Sequence, residues 1–269
     1  LCAALRQDDL SAMEQVSTVR NLAPDEILIH EGDPARRVYT LTRGMLRLST
    51  ILADGRRQIT GFLMPGDFLG LADEETVSAT VEAVTHSTLC AFARTDMDRL
   101  LHDHPALQAR LMQFTRAALR EARDGQIMLG RLAPVEKLSS FLLVMSTRMA
   151  ARGLPANPVP IPMSRMDIAD FLGLTVETVS RSFTKLRNQH LIRLSDAHHV
   201  DIVDRRALAA VAGIDQAQEA RQAQRGGRGP VKHEPPAPVS TTVDTTRLDQ
   251  EQRAMINLIA RSIHRRYFL

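Results

Sequence analysis

Cysteine is scarce: the 269 residues include two, which excludes the disulfide framework of a small secreted domain. Long apolar runs are missing too. None approaches the roughly 18 residues that a membrane-spanning helix needs, so no membrane partner is expected. No charged, apolar, small-residue leader opens the sequence, and a reducing cytoplasm is the expected compartment. The chain starts Leu1-Cys2 rather than with Met, and an N-terminal piece is expected ahead of it. A strong charge of either sign is absent. Thirty-four Lys+Arg against 31 Asp+Glu leave +3, which permits a nucleic-acid partner without demanding one. A P-loop, a dinucleotide fingerprint and a nucleophile–base pair are all lacking, which argues against catalysis. What is present is ordinary globular composition, 44% hydrophobic and 24% charged, in a length that fits two modest domains of up to about 150 residues each.

From Leu22 to Phe92 short apolar-alternating runs (Ile27-Leu28-Ile29, Val38-Tyr39-Thr40-Leu41, Met45-Leu46-Arg47-Leu48-Ser49, Ile59-Thr60-Gly61-Phe62) are separated by turn signals such as Glu31-Gly32-Asp33-Pro34, Ala53-Asp54-Gly55 and Pro65-Gly66-Asp67. Strands at a spacing of about 8–12 residues predict an antiparallel roll. Its interior could be filled by side chains or hold a small ligand, and pattern alone leaves both open. A cupin-like roll acting as a metalloenzyme is the remote alternative. It would need inward ligands at strand spacing, and His30, Glu31 and His86 are too scattered for that.

After Pro105 the period lengthens. Leu107, Leu111, Phe114, Ala118, Glu121, Gly125, Met128 and Leu132 form a heptad stripe about 25 residues long, with Asp124 beside it. Either the stripe packs on its own chain or it is a two-fold dimer seam. Glu121, Asp124 and Gly125 weaken its middle. Ala133-Pro134-Val135-Glu136 opens another helix with Leu138, Phe141, Leu142, Met145 and Met149 on one face.

The most informative stretch runs from Ser164 to Val203. Ser164 with Asp167 three later resembles a capping arrangement. Ile168 to Lys185 reads as two short helices around a turn at Gly173, the second capped by Thr175 and burying Val179, Phe183 and Leu186. Its opposite face carries Glu177, Ser180, Arg181 and Lys185, where a recognition helix presents side chains to a major groove. Leu191–Leu194 and Val200–Val203 complete a wing. Arg181 can bond guanine bidentately, Glu177 can accept from cytosine, and Ser180 can touch a thymine methyl. Thr175, Lys185, Arg187 and Arg193 are expected to meet the backbone, setting affinity rather than sequence.

This order of elements, with Gly55-Arg56-Arg57-Gln58-Ile59-Thr60-Gly61-Phe62 leading to Pro65-Gly66-Asp67-Phe68-Leu69-Gly70, and with Leu172-Gly173-Leu174-Thr175-Val176-Glu177-Thr178-Val179-Ser180-Arg181, resembles the Crp/Fnr family of bacterial transcription regulators over residues 1–213. The fold it implies is α+β: an N-terminal antiparallel β-roll of cyclic-nucleotide-binding-like, cupin-like form, a long dimerisation helix and a C-terminal winged helix-turn-helix. The boundaries that follow are residues 1–104 for the roll with a short N-terminal helix, 105–132 for the dimerisation helix and 133–213 for the DNA-binding domain. Residues 214–246 read as a flexible linker, and 247–269 as an extra helix. The resemblance implies a homodimer on double-stranded DNA, with RNA polymerase as a further partner. Glu177-x-x-Ser180-Arg181 looks like the Fnr and FixK branch, which implies TTGAT-N4-ATCAA palindromes.

The same resemblance guides the effector. The Gly-Glu and Arg-Ser/Thr pairs of cyclic-nucleotide-responsive members are absent: Leu71 follows Gly70, the loop through Glu74-Glu75-Thr76 is short, and Val77 precedes Ser78. No cyclic nucleotide is expected. In the oxygen-sensing branch, cysteines near the N-terminus and one in the roll hold a [4Fe-4S] cluster, and Cys2 and Cys90 match two of those places. Two thiolates do not suffice, so further cysteines would have to precede Leu1. The alternative is a cluster-free FixK-like regulator controlled by abundance or thiol oxidation. Asp124 matches the family's acidic residue that opposes pairing of the dimer helices.

Overall fold

The computed structural model describes residues 13, 15–71 and 75–213. Eight strands build the roll: β1 (Ser17–Leu22), β2 (Ile27–Ile29), β3 (Arg37–Arg43), β4 (Leu46–Ile51), β5 (Arg57–Leu63), β6 (Phe68–Leu69), β7 (Thr80–Ala83) and β8 (Ser87–Ala93). They form two four-stranded sheets, ordered β1-β8-β3-β6 and β2-β7-β4-β5, with every pairing antiparallel. The period of two sends Tyr39, Leu41, Leu46, Val81, Leu89 and Ala91 into the space between the sheets, where they pack as one cluster. The opposite face of the first sheet, with Val38 and Phe92, is covered by Met13, Met97, Leu100 and Leu107. Gly70 is required where it stands: its φ is +84, and a Cβ would come within 2.6 Å of the Arg37 carbonyl.

Helices follow: α1 (Arg94–Asp103), α2 (Pro105–Arg131) and α3 (Pro134–Ala151). After them come β9 (Val159–Pro160), α4 (Arg165–Leu172), α5 (Val176–Asn188), β10 (Ile192–Leu194), β11 (His199–Ile202) and α6 (Arg205–Val211). Pro105 and Pro134 stand in the first turns of α2 and α3, where their missing N–H groups are not needed. Among the elements that escape pattern reading, three have a visible reason. The middle of β1 is exposed and shows no alternation. Helix α1 buries only Met97 and Leu100. Strand β9 is two residues long and lies at the edge of the three-stranded sheet β10-β11-β9, the place where Pro160 is tolerated.

The heptad stripe on α2 divides. Leu107 and Met128 are buried, Leu111, Phe114, Gly125 and Leu132 are half-buried, and Ala118, Glu121 and Asp124 are exposed. Phe114 packs on Phe68 of the roll, while Met128 joins the core that includes Leu138 and Phe141. The ends of the predicted stripe therefore pack on their own chain. The large apolar side chains that α2 leaves exposed are Met112, Leu119, Ile127 and Leu129. Met112, Thr115, Leu119, Ala122, Gln126 and Leu129 repeat the same spacing one residue along, about 100° round the helix. A second exposed stripe therefore stands beside the predicted one. Asp124 lies about 170° from the centre of that second stripe, so a carboxylate facing its symmetry mate across this stripe is not supported.

Candidate nucleic-acid interface

The first helix of the pair is capped at both ends. Ser164 Oγ accepts the Asp167 N–H at 3.0 Å, and the Asp167 carboxylate accepts the Ser164 N–H at 3.1 Å, a reciprocal capping box. Gly173, in the left-handed conformation at φ 62, ends α4. Thr175 Oγ1 then accepts the Thr178 N–H at 3.2 Å and starts α5. Turn chemistry thus ends one helix and starts the next within three residues. Helix α5 buries Val179, Ser182, Phe183 and Leu186 against a core that includes α3 and α4.

The other face of α5 is open. Glu177, Ser180, Arg181, Lys185 and Arg187 are all exposed, as their predicted roles require. Ser180, Arg181, Thr184, Lys185, Asn188 and Gln189 line one shallow concavity. The Glu177 carboxyl is held below its usual range by its own backbone N–H at the helix N-terminus, then by the Thr175 hydroxyl and the Arg181 charge. It is therefore an acceptor at neutral pH. Thr175 is exposed but its hydroxyl oxygen already serves as the cap. Arg193 sits on β10 of the wing with its Nε on Asp201 at 2.9 Å and its side chain 75% exposed.

Pattern reading missed Arg165. Its guanidinium lies 3.6 Å from the centre of the Phe183 ring, and burial lowers its pKa. The stacking places a cation at the start of α4, beside the buried face of α5. The signal in the sequence was only a basic residue following a capping serine.

In the roll, Cys90 is half-buried on β8, opposite Thr40 of β3 and Val19 of β1. It shares the face of Val38 and Phe92, outside the roll interior, and packs against the cluster that contains Met13. Thr40 Oγ1 on the same face is buried with no hydrogen-bond partner. Cys2 lies outside the described residues, as do Glu74 and the linker and helix expected over 214–269.

Residues 19–104 match the cyclic nucleotide-binding domain, and residues 136–211 match the Crp-like helix-turn-helix domain. The transcriptional activatory protein AadR of Rhodopseudomonas palustris is 40% identical over 192 residues, 71% of this chain and 80% of that protein. The chain belongs to the Crp/Fnr family of transcription regulators. The nitrogen fixation regulation protein FixK of Bradyrhizobium diazoefficiens is 38% identical over 194 residues, 72% of this chain and 82% of that protein. The structure of FixK2 from Bradyrhizobium japonicum superposes with a TM-score of 0.68 at 33% identity, covering 73% of this chain and 97% of that one. As a Crp/Fnr member the chain is a DNA-binding transcription regulator and not an enzyme, which disposes of the metalloenzyme alternative. Among the described residues no helix is long and apolar enough to cross a membrane.

Proposed function

We propose that this regulator is a cytoplasmic homodimer that reads TTGAT-N4-ATCAA-like palindromes, with one α5 in each major groove. One observation carries the reading: Glu177, Ser180 and Arg181 are exposed together on the face of a capped helix whose other face is sealed in the core. Arg181 would donate to guanine, Glu177 would accept from cytosine, and Ser180 would meet a thymine methyl. Thr175, Lys185, Arg187, Arg193 and Arg165 would meet phosphates. The exposed stripe of Met112, Leu119 and Leu129 supplies the face on which two copies of α2 would pair. RNA polymerase would be the partner of the DNA-bound form.

We further propose that DNA binding follows oxygen or redox state through Cys90. Its place supports this: a half-buried thiol beside the buried, unpartnered Thr40 hydroxyl, on the face that Met13 helps to cover. The residues fit a [4Fe-4S] cluster only in part. Cys2 and Cys90 are the two thiols of this chain and such a cluster takes four, so this reading requires two more from residues preceding Leu1. A bound cluster would make DNA binding sensitive to oxygen. A second reading needs no cluster: Cys90 itself would respond by direct thiol oxidation.

Titration of duplexes that differ at single positions tests the DNA reading. Arg181→Ala or Glu177→Ala should erase the preference for the palindrome over random DNA, each contact being worth about 1–3 kcal/mol of discrimination. Preference retained by both variants would refute the assigned roles.

A further inference from the structure

The roll and the helix-turn-helix meet across an interface with charge on two flanks and an apolar centre. In the centre the Phe62 ring of β5 lies 6.2 Å from Phe141 of α3 and 5.4 Å from Phe171 of α4. Met45, Ile59 and Met64 of the roll join the same core. On one flank the roll supplies the cations. Arg57 reaches Asp170 and Asp167 at 2.7 Å each, and Arg47 reaches Asp167 at 3.3 Å. Arg47 is also paired with Glu82 and Asp25 of the roll. Gln58 Nε2 donates to the Asp170 carbonyl at 2.7 Å. On the other flank the roll supplies the anion. Asp67 takes Arg148 at 2.6 Å together with Arg152, while Arg148 and Arg152 donate to the Phe62 and Pro65 carbonyls at 3.0 and 2.9 Å.

The polarity is opposite on the two flanks, so a rotated docking would set like charges against each other. The groups are also well removed from water, with Asp167 4% exposed and Asp67, Arg148 and Arg152 at 16–18%. A partner lost here leaves a buried charge uncompensated, so the contact holds in one arrangement or opens. Asp167 belongs at once to this flank and to the capping box of α4. The roll thereby grips the first turn of the helix that supports α5.

We propose that this reciprocal clamp sets the orientation of the recognition helix on the roll, and that Arg57 and Asp67 are positioning residues for DNA reading. The assignment rests on the DNA-reading role of α5 given above. Spin labels carried by non-canonical residues at exposed positions 99 and 203, diluted with unlabelled chain so that each pair is read within one protomer, measure the orientation directly. The wild-type chain should give one narrow distance distribution. Arg57→Asp, which gathers three carboxylates on one flank, should broaden it, and the exchange Arg57→Asp with Asp170→Arg should narrow it again. Asp67→Asn should broaden it from the other flank if Arg57→Asp fails to fold.

The affinity for the palindrome should fall about tenfold or more with the broadened distribution and recover in the exchange. The preference for the palindrome over single-base variants should persist, because Arg181 is untouched. Unchanged distances in both Arg57→Asp and Asp67→Asn would overturn the clamp. Broadened distances with unchanged or tighter DNA binding would overturn its positioning role. A wild-type chain indifferent to the palindrome would bring down the sequence reading, and the distances would still decide the clamp.

Discussion

Lys137, 9% exposed in α3, donates from Nζ to the carbonyl of Leu172 at 3.1 Å. Leu172 is the last residue of α4, immediately before the left-handed Gly173. A cation therefore closes the C-terminus of the first helix of the DNA-binding pair, where the carbonyls of the last turn lack helical partners.

Replacing that amine tests its contribution. Lys137→Met keeps most of the apolar stem and strands the Leu172 carbonyl, which should cost about 2 kcal/mol of stability. Denaturant unfolding should show a lower midpoint with an unchanged slope. A midpoint equal to that of the wild-type chain would mean that the carbonyl finds another donor.

The dimer face makes a directional prediction. Leu119→Arg puts charge on the exposed stripe of α2 and should shift the chain to monomer in sedimentation. Asp124→Ala should leave the distribution unchanged, because that carboxylate lies on nearly the opposite side of the helix. The reverse pattern would restore the stripe of Leu107, Leu111, Phe114, Ala118, Glu121, Met128 and Leu132 as the pairing face.

Much of the recognition unit is legible in the sequence because its determinants are local: Ser164 and Asp167, Gly173, and Thr175 lie within a dozen residues and each has a turn or cap as its consequence. The roll is legible for the same reason, through its glycine-bearing turns. How α2 divides its surface between its own chain and solvent was not. Leu111 adjoins Met112, Ala118 adjoins Leu119, and Met128 adjoins Leu129, so two neighbouring stripes are both apolar, and only the packing of the roll and α3 decides which one the chain covers itself. The clamp was invisible because Arg57 and Asp170 are separated by 113 positions. Asp167 reads locally as a cap and nothing more.

Salt dependence separates backbone contact from base contact. Lys185→Ala should weaken binding to palindromic and random duplexes alike and reduce the slope of log affinity against log salt by about one. Arg181→Ala should instead remove the difference between the two duplexes. Equal behaviour of the two variants would contradict the division of roles along α5.

The carboxylates of the interface predict a pH response. Glu177 is held below its ordinary value of 4.5 chiefly by its own backbone N–H. Asp201 is held below 3.8 first by the Ser195 hydroxyl and then by Arg193. A lowered folded value means that the stabilisation is complete above the unfolded pKa and is lost as pH falls through the folded one. Cytosine preference at the Glu177 position should therefore be flat between about pH 5.5 and 8. A preference that disappears near pH 6 would show that Glu177 is not the acceptor.

The redox proposal is tested most directly by preparing the chain without air, together with whatever residues precede Leu1, and assaying iron and sulfide. Binding to TTGAT-N4-ATCAA DNA is then titrated before and after brief exposure to oxygen, in the wild-type chain and in Cys90→Ser. The account predicts tight binding that air abolishes in the wild-type chain and a Cys90→Ser protein that does not respond to air. Iron content that tracks the binding would assign the response to a cluster, and iron-free protein with the same response would assign it to the thiol. Tight binding indifferent to air in the wild-type chain would contradict any redox role for Cys90 and leave a regulator governed by its abundance.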